Sequence, residues 1–189
     1  MTMKDVFKLE PYTNISSENS YIISYPYILA YFQSLKEFSV RDFVCCAHII
    51  YGWMPTILDL YPKQSNINLH QGAKLLTSAK RDGHLPDSGI EQLKRLVNNS
   101  LVGASKLLHF TSPNKFAIWD SKIYSFVFED KPHNYRINQI SNYREYLSLL
   151  QEIMKHPDFM LFHKSINTKI GYDVTPFRAI ELIMYLNST

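Results

Sequence analysis

Cysteine and glycine are both scarce in this 189-residue chain, with two of the first and six of the second. Cys45 and Cys46 are adjacent. Neighbouring cysteines rarely pair, and two are too few for a four-cysteine zinc or iron–sulfur site. A reducing compartment follows, and the cytoplasm is the expected location. With so little glycine and no low-complexity tract, collagen-like, repeat and linker-rich architectures are excluded. No apolar run reaches the roughly 18–20 residues that span a bilayer. The first residues, Met1 to Val6, lack the apolar core of a signal peptide, so no membrane partner is expected. A strong charge of one sign is also missing. The formal net charge of +3 permits nucleic-acid binding without demanding it. There is no glycine-rich phosphate loop, Gly-x-Ser-x-Gly elbow or Cys–His dyad, and no His-x3-His pair beside acidic residues. No metal and no cofactor are therefore implied.

What is present is apolar and helical. Hydrophobic residues make up 46% of the chain, enough to offset the ordering entropy of a sizeable core. The first twenty residues read as an irregular lead-in. Ser20 is placed to cap a helix to about Leu35, with Pro26 marking a break or late start. Ser39 and Asp42 form an imperfect capping box ahead of Phe43, Ala47, Ile50 and Met54. Pro55 ends or kinks that helix, and Pro62 closes the next piece. A helix follows from Asn68 to Ala79, and another is capped by Asp87 or Ser88. Asn98, Asn99 and Ser100 end it, and a short hairpin leads into a helix from about Gly103 to Phe110. Asp120 stands at the next helix start. Tyr146, Leu149, Leu150 and Ile153 have helical spacing, and a last helix opens at Thr175 and Pro176. Strand-like alternation is confined to Tyr21–Tyr25. The fold class is all-α.

Two segments combine into a pattern with chemical use. Asn98 to Phe110 describes a helix end, a hairpin and a new helix. Backbone N–H groups at such an entry, with the helix dipole, suit a DNA phosphate. Val102 and Gly103 allow close backbone approach, and Ser105 and Lys106 follow on the helix. Lys122 adds charge further on. Phe116 to Trp119 then forms an apolar run ending at Asp120. A rigidly held carboxylate there can stabilise positive charge on a sugar as its bond to a base breaks, and can polarise a water.

The stretch from Asn98 to Ile123 resembles the helix-hairpin-helix DNA glycosylase superfamily. Val102 and Gly103 look like the end of that family's Leu-Pro-Gly-Val-Gly-type hairpin, and Phe116 to Ile123 looks like the segment carrying its essential aspartate. The Leu-Pro-Gly half is replaced by Ser100 and Leu101, the spacing to Asp120 is shorter, and the cysteines of the iron–sulfur branch are absent. The resemblance implies two helical lobes with a cleft between them: residues 1–39 with 129–189, and 40–128. It implies excision of a damaged or modified base from double-stranded DNA, hypermodified phage bases in antiviral defence among them, with Asp120 as the catalytic carboxylate. In members that also cut the strand, a lysine two residues after the last hairpin glycine forms a Schiff base. Ser105 holds that offset here and Lys106 lies about 100° further round the helix. A hydrolysing glycosylase is therefore expected, with Lys106 on phosphate and its nucleophilic role the alternative.

Each candidate has a plainer reading. Asp120 is also a natural helix cap, a role compatible with catalysis. Tyr51, Trp53 and Trp119 can grip a flipped base, or simply fill a core. His109 is a candidate contact to DNA or substrate, or a satisfied core or surface histidine. The rival to the whole reading is a non-catalytic helical DNA-binding or interaction module that uses the hairpin only for phosphate contact. A monomer is expected.

Overall fold

The computed structural model describes residues 6–60 and 68–188; Pro62, read above as closing a segment, lies outside them. The described residues are helical throughout, and their β-structure is a single isolated bridge between Leu60 and Val97. The elements are α1 (Val6–Leu9), a 3-10 turn (Glu10–Tyr12), α2 (Ser20–Ser34), α3 (Val40–Trp53), α4 (Leu69–Asp82), α5 (Asp87–Leu96), α6 (Leu101–Thr111), α7 (Ser121–Phe128), α8 (Asn134–Ile137), α9 (Ile140–Ile153), α10 (Phe159–Ile170) and α11 (Pro176–Leu186). No described helix is long and apolar enough to cross a membrane.

The chain divides into two compact units. One joins the residues up to Ile23 to those from Ala117 onward; the other is Ser24–Phe116. The sequence-based division at 39/40 and 128/129 placed α7 with the central segment. In the structure α7 packs on α11, which brings it to the unit of the two termini. In the central unit α3, α4, α5 and α6 pack on one another. In the other, α1, α7 and α10 pack against α11.

Each unit is organised by one helix buried on nearly every side. In α6, Leu101 and all residues from Gly103 to Thr111 are buried; in α11, all from Phe177 to Met184. A helix apolar around most of its circumference has no solvent face to offer, so it takes the middle of a core. Burying side chains of this size contributes about 1.5–3 kcal/mol each before entropy is subtracted.

Local signals explain most helix ends. Ser39 and Asp42 form both bonds of a capping box: Asp42 N–H donates to Ser39 Oγ (3.2 Å) and Ser39 N–H to Asp42 Oδ2 (3.0 Å). Asn68 caps α4, and Thr175 caps α11 ahead of Pro176. Other ends differ from the sequence reading. Asn19, not Ser20, serves the start of α2, its Oδ1 accepting from Tyr21 N–H (2.9 Å). Pro86 holds the cap position of α5, so Asp87 is already helical. The lead-in contains α1 and the 3-10 turn, and Tyr21–Tyr25 is helical rather than strand-like.

Pro26 does not break α2. Lacking an N–H, it leaves the carbonyl of Ile22 without its helical donor, a defect costing about 3 kcal/mol in an unsupported helix. The Tyr172 hydroxyl donates to that carbonyl (2.7 Å), and Ile22, Tyr25 and Phe32 are buried. Their burial outweighs the defect.

Tyr172→Phe should therefore cost about 1 kcal/mol of unfolding free energy in urea titration, and clearly less in a Pro26→Ala background, where residue 26 supplies the missing N–H. Equal losses in both backgrounds would refute the compensation. Burial, with lesser help from the Asp42 charge, pushes the Cys46 thiol up to about 12, while Cys45 is exposed. A disulfide-exchange reagent at about pH 8 should thus titrate one thiol per native chain and the second only on unfolding.

Candidate functional site

The segment expected to form a phosphate-binding hairpin is a tight turn closed on itself. Asn98 and Asn99 both adopt left-handed backbone conformations (φ 53° and 48°), which asparagine tolerates better than most residues. Asn98 ties the turn to the segment before it: its N–H donates to Asp59 O (3.2 Å), its Oδ1 accepts from Asp59 N–H (2.7 Å) and its Nδ2 donates to Ile57 O (2.9 Å). The Ser100 N–H donates to Val97 O (3.0 Å), and Ser100 Oγ caps α6 by accepting from Gly103 N–H (3.2 Å). The N–H groups of Asn98, Ser100 and Gly103 are thus engaged internally.

Gly103 lies in the first turn of α6 rather than in the hairpin. A Cβ there would run into the Tyr51 hydroxyl and ring. That hydroxyl donates to Val97 O (3.0 Å), so Tyr51, only 2% exposed, staples the end of α5 from the interior. Glycine is required by this approach of a side chain, and Tyr51 is a core residue rather than a pocket wall. Val102 is half-buried. Ser105 is fully buried with its Oγ on Val102 O (2.9 Å), and Lys106 is 8% exposed, so neither is displayed on the surface.

His109 is fully buried and both ring nitrogens have partners. Nδ1 faces Phe116 O (2.8 Å), an acceptor only, so it carries the proton; Nε2 then accepts from the Tyr25 hydroxyl (2.8 Å). His109 is thus a satisfied core residue. Trp53 donates to Ser24 Oγ (3.0 Å) and sits edge-on to Phe110. Trp119 is fully buried, donates to Ile137 O (2.8 Å), and lies among Tyr124, Phe128, Tyr143 and Tyr146. It fills a core and offers no face to a base.

That enclosure is what positions Asp120. Phe116, Ala117, Ile118 and Trp119 are all buried. The strap is pinned by Trp119 Nε1 on Ile137 O and by the Tyr143 hydroxyl on Ala117 O (3.0 Å). Asp120 is the first residue of the strap to regain solvent, half-buried at the N-cap of α7, with Oδ1 accepting from Ile123 N–H (3.0 Å). Lys122 is exposed, its ammonium 4.4 Å from the centre of the Tyr185 ring. Burial first, and then the Asp120 charge, raise the Tyr185 phenol above its ordinary value. On the helix before the turn, Lys94 and Arg95 both pair with Glu91 (2.6 and 2.9 Å).

The sequence patterns did not single out the buried polar residues of the same unit. Arg178 and Glu181 pair with each other inside α11, and Tyr146 rises from α9. The signal was available in part: two opposite charges three residues apart in an otherwise apolar helix must pair. Against family models, curated proteins and solved structures, the chain finds no match.

Gly103→Ala gains about 1 kcal/mol of helix propensity but must displace Tyr51, a clash of about 1–3 kcal/mol together with a lost hydrogen bond of about 1 kcal/mol. The variant should melt earlier. A variant as stable as the parent, but weaker on DNA, would return Gly103 to the surface role that the sequence suggested.

Proposed function

We propose that the chain is a DNA N-glycosylase of the helix-hairpin-helix type, with glycosylase-like helical lobes and Asp120 as its catalytic carboxylate. The observation that carries the reading is the seating of Asp120. Four consecutive buried residues and two buried hydrogen bonds deliver one half-exposed carboxylate to a helix N-terminus. Such prior fixing is what electrostatic catalysis needs, because no reorganisation is left to occur as charge develops.

In this reading a modified nucleotide leaves the duplex, at a cost of a few kcal/mol that falls when its pairing is weak. The Asp120 carboxylate stabilises the cationic sugar as the bond from C1′ to the base nitrogen breaks. It then orients a water on C1′ and takes its proton. Lys122, exposed two residues on, supplies phosphate attraction. Lys106, enclosed in α6, is the residue whose loss separates simple hydrolysis from a Schiff-base route.

The test is a panel of end-labelled duplexes carrying single lesions or modified bases, with modified phage DNA, each read with and without alkali. Cleavage that needs alkali is expected for wild type. Asp120→Asn should lower it about 10²- to 10⁴-fold while retaining the duplex with little change in affinity. Cleavage without alkali that disappears in Lys106→Gln would assign the nucleophile to Lys106. Tight, salt-sensitive binding with no cleavage of any duplex would overturn the enzyme reading in favour of a binding module.

A further inference from the structure

Among the described residues, α2 is the one helical element with no Asp, Glu, Lys or Arg. Its inner face is core, with Ile22, Tyr25 and Phe32 buried. Its outer face is apolar too. Ile23, Tyr27 and Tyr31, spaced four residues apart, are 52%, 76% and 39% exposed. They form one stripe along the helix, closed at its ends by exposed Ser20 and Ser34. A surface helix ordinarily turns charged residues to water, and one that is apolar all round is covered. Single exposed apolar side chains are common, but an uncharged stripe running the length of a helix marks a contact surface.

Charge and residue order decide which partner fits. A nucleic-acid backbone is met by lysine and arginine, and helices that lie on lipid carry them on their polar face. α2 has neither. The stripe is instead symmetric about Tyr27. Four positions to either side stand large apolar residues, Ile23 and Tyr31; three to either side, small ones, Ser24 and Ala30; seven to either side, Ser20 and Ser34. Two copies of such a stripe match when they run antiparallel about a two-fold axis at Tyr27. Ile23 of one copy then comes level with Tyr31 of the other, and the small residues leave room for the rings. The first charged residues beyond the helix have opposite signs, Glu18 before it and Lys36 after it, and both are exposed. Antiparallel pairing brings unlike charges to each end, whereas parallel pairing sets like beside like.

We propose that the chain associates through α2 as a two-fold dimer, in place of the monomer expected from the sequence, with two copies of the helix antiparallel and their Tyr27 side chains at the axis. A two-fold interface uses one patch twice and so requires a self-complementary face, which this stripe supplies. Tyrosine suits the position, because its ring is buried while its hydroxyl stays at the wet rim. One pair of 15-residue helices, about 22 Å long, is a small interface, so the dimer exchanges with monomer rather than being permanent. The dimer does not depend on the glycosylase reading and stands or falls separately from it.

The experiment is analytical sedimentation of the full chain from about 1 to about 300 μM, over which the mass should rise from one chain towards two. Tyr27→Glu sets two carboxylates together at the axis and should weaken association by about 100-fold or more. Its melting temperature in dilute solution should not change, since Tyr27 is exposed. Mixing Tyr27→Glu with Tyr27→Lys should restore association. A double variant, Ile23→Glu with Tyr31→Lys, pairs its new charges only in the antiparallel arrangement and should associate more weakly as salt rises. One mass at every concentration overturns the dimer, as does association that Tyr27→Glu leaves intact. Failure of the double variant to associate overturns the antiparallel arrangement. Binding to vesicles of phosphatidylcholine and phosphatidylserine that Tyr27→Glu abolishes, without self-association of wild type, would give the stripe to a lipid surface and overturn the proposal.

Discussion

Burying a helix on all sides obliges every polar group it carries to find a partner inside, and α6 and α11 place that obligation at the centre of each unit. Residues that look like surface chemistry in the sequence become interior architecture for this reason. His109 is held between Tyr25 and the Phe116 carbonyl, and Ser105 returns its hydroxyl to its own helix. Arg178 and Glu181 neutralise each other three residues apart. Pairs of this kind contribute little net stability, since desolvation consumes most of the attraction, but removing one partner alone is expensive. They act as constraints on which helices can meet and in what register.

Helix ends and helix class were legible because they depend on a few neighbouring residues. Ser39 with Asp42, Asn68, and Thr175 with Pro176 state their caps within four positions. The features that escaped depend on partners far along the chain. Gly103 reads as a turn glycine until Tyr51, fifty-two positions earlier, is brought against it. Pro26 reads as a helix break until Tyr172 supplies the missing donor. The candidate site divides the same way. Asp120 as a fixed residue at a helix start was readable from the apolar run before it, whereas the interior placement of Trp119, His109 and Lys106 was set by packing that no local pattern encodes.

Asp120 serves two physical roles at once. As a cap it contributes about 1 kcal/mol to α7 through its bond with Ile123 N–H. As a half-exposed charge on a buried strap it is oriented by neighbours that cannot move without disturbing a core. Catalytic precision in the proposed reaction would then be inherited from packing, at no separate cost in ordering.

The unit assembled from both ends of the chain has a consequence for synthesis. Ser24–Phe116 is one uninterrupted stretch, so the central unit can close as soon as it has left the ribosome. The described residues up to Ile23 are made before that stretch, yet have their partners in α10, in the residues just after α10 and in α11, which are made after it. At about 5–20 residues per second, α1 and the start of α2 wait roughly ten seconds or more for α11. During that interval the buried face of α1, including Val6, has no core to enter. The early segment is thus open to chaperones and proteases until the later helices arrive, and the unit that carries Asp120 closes after the central one.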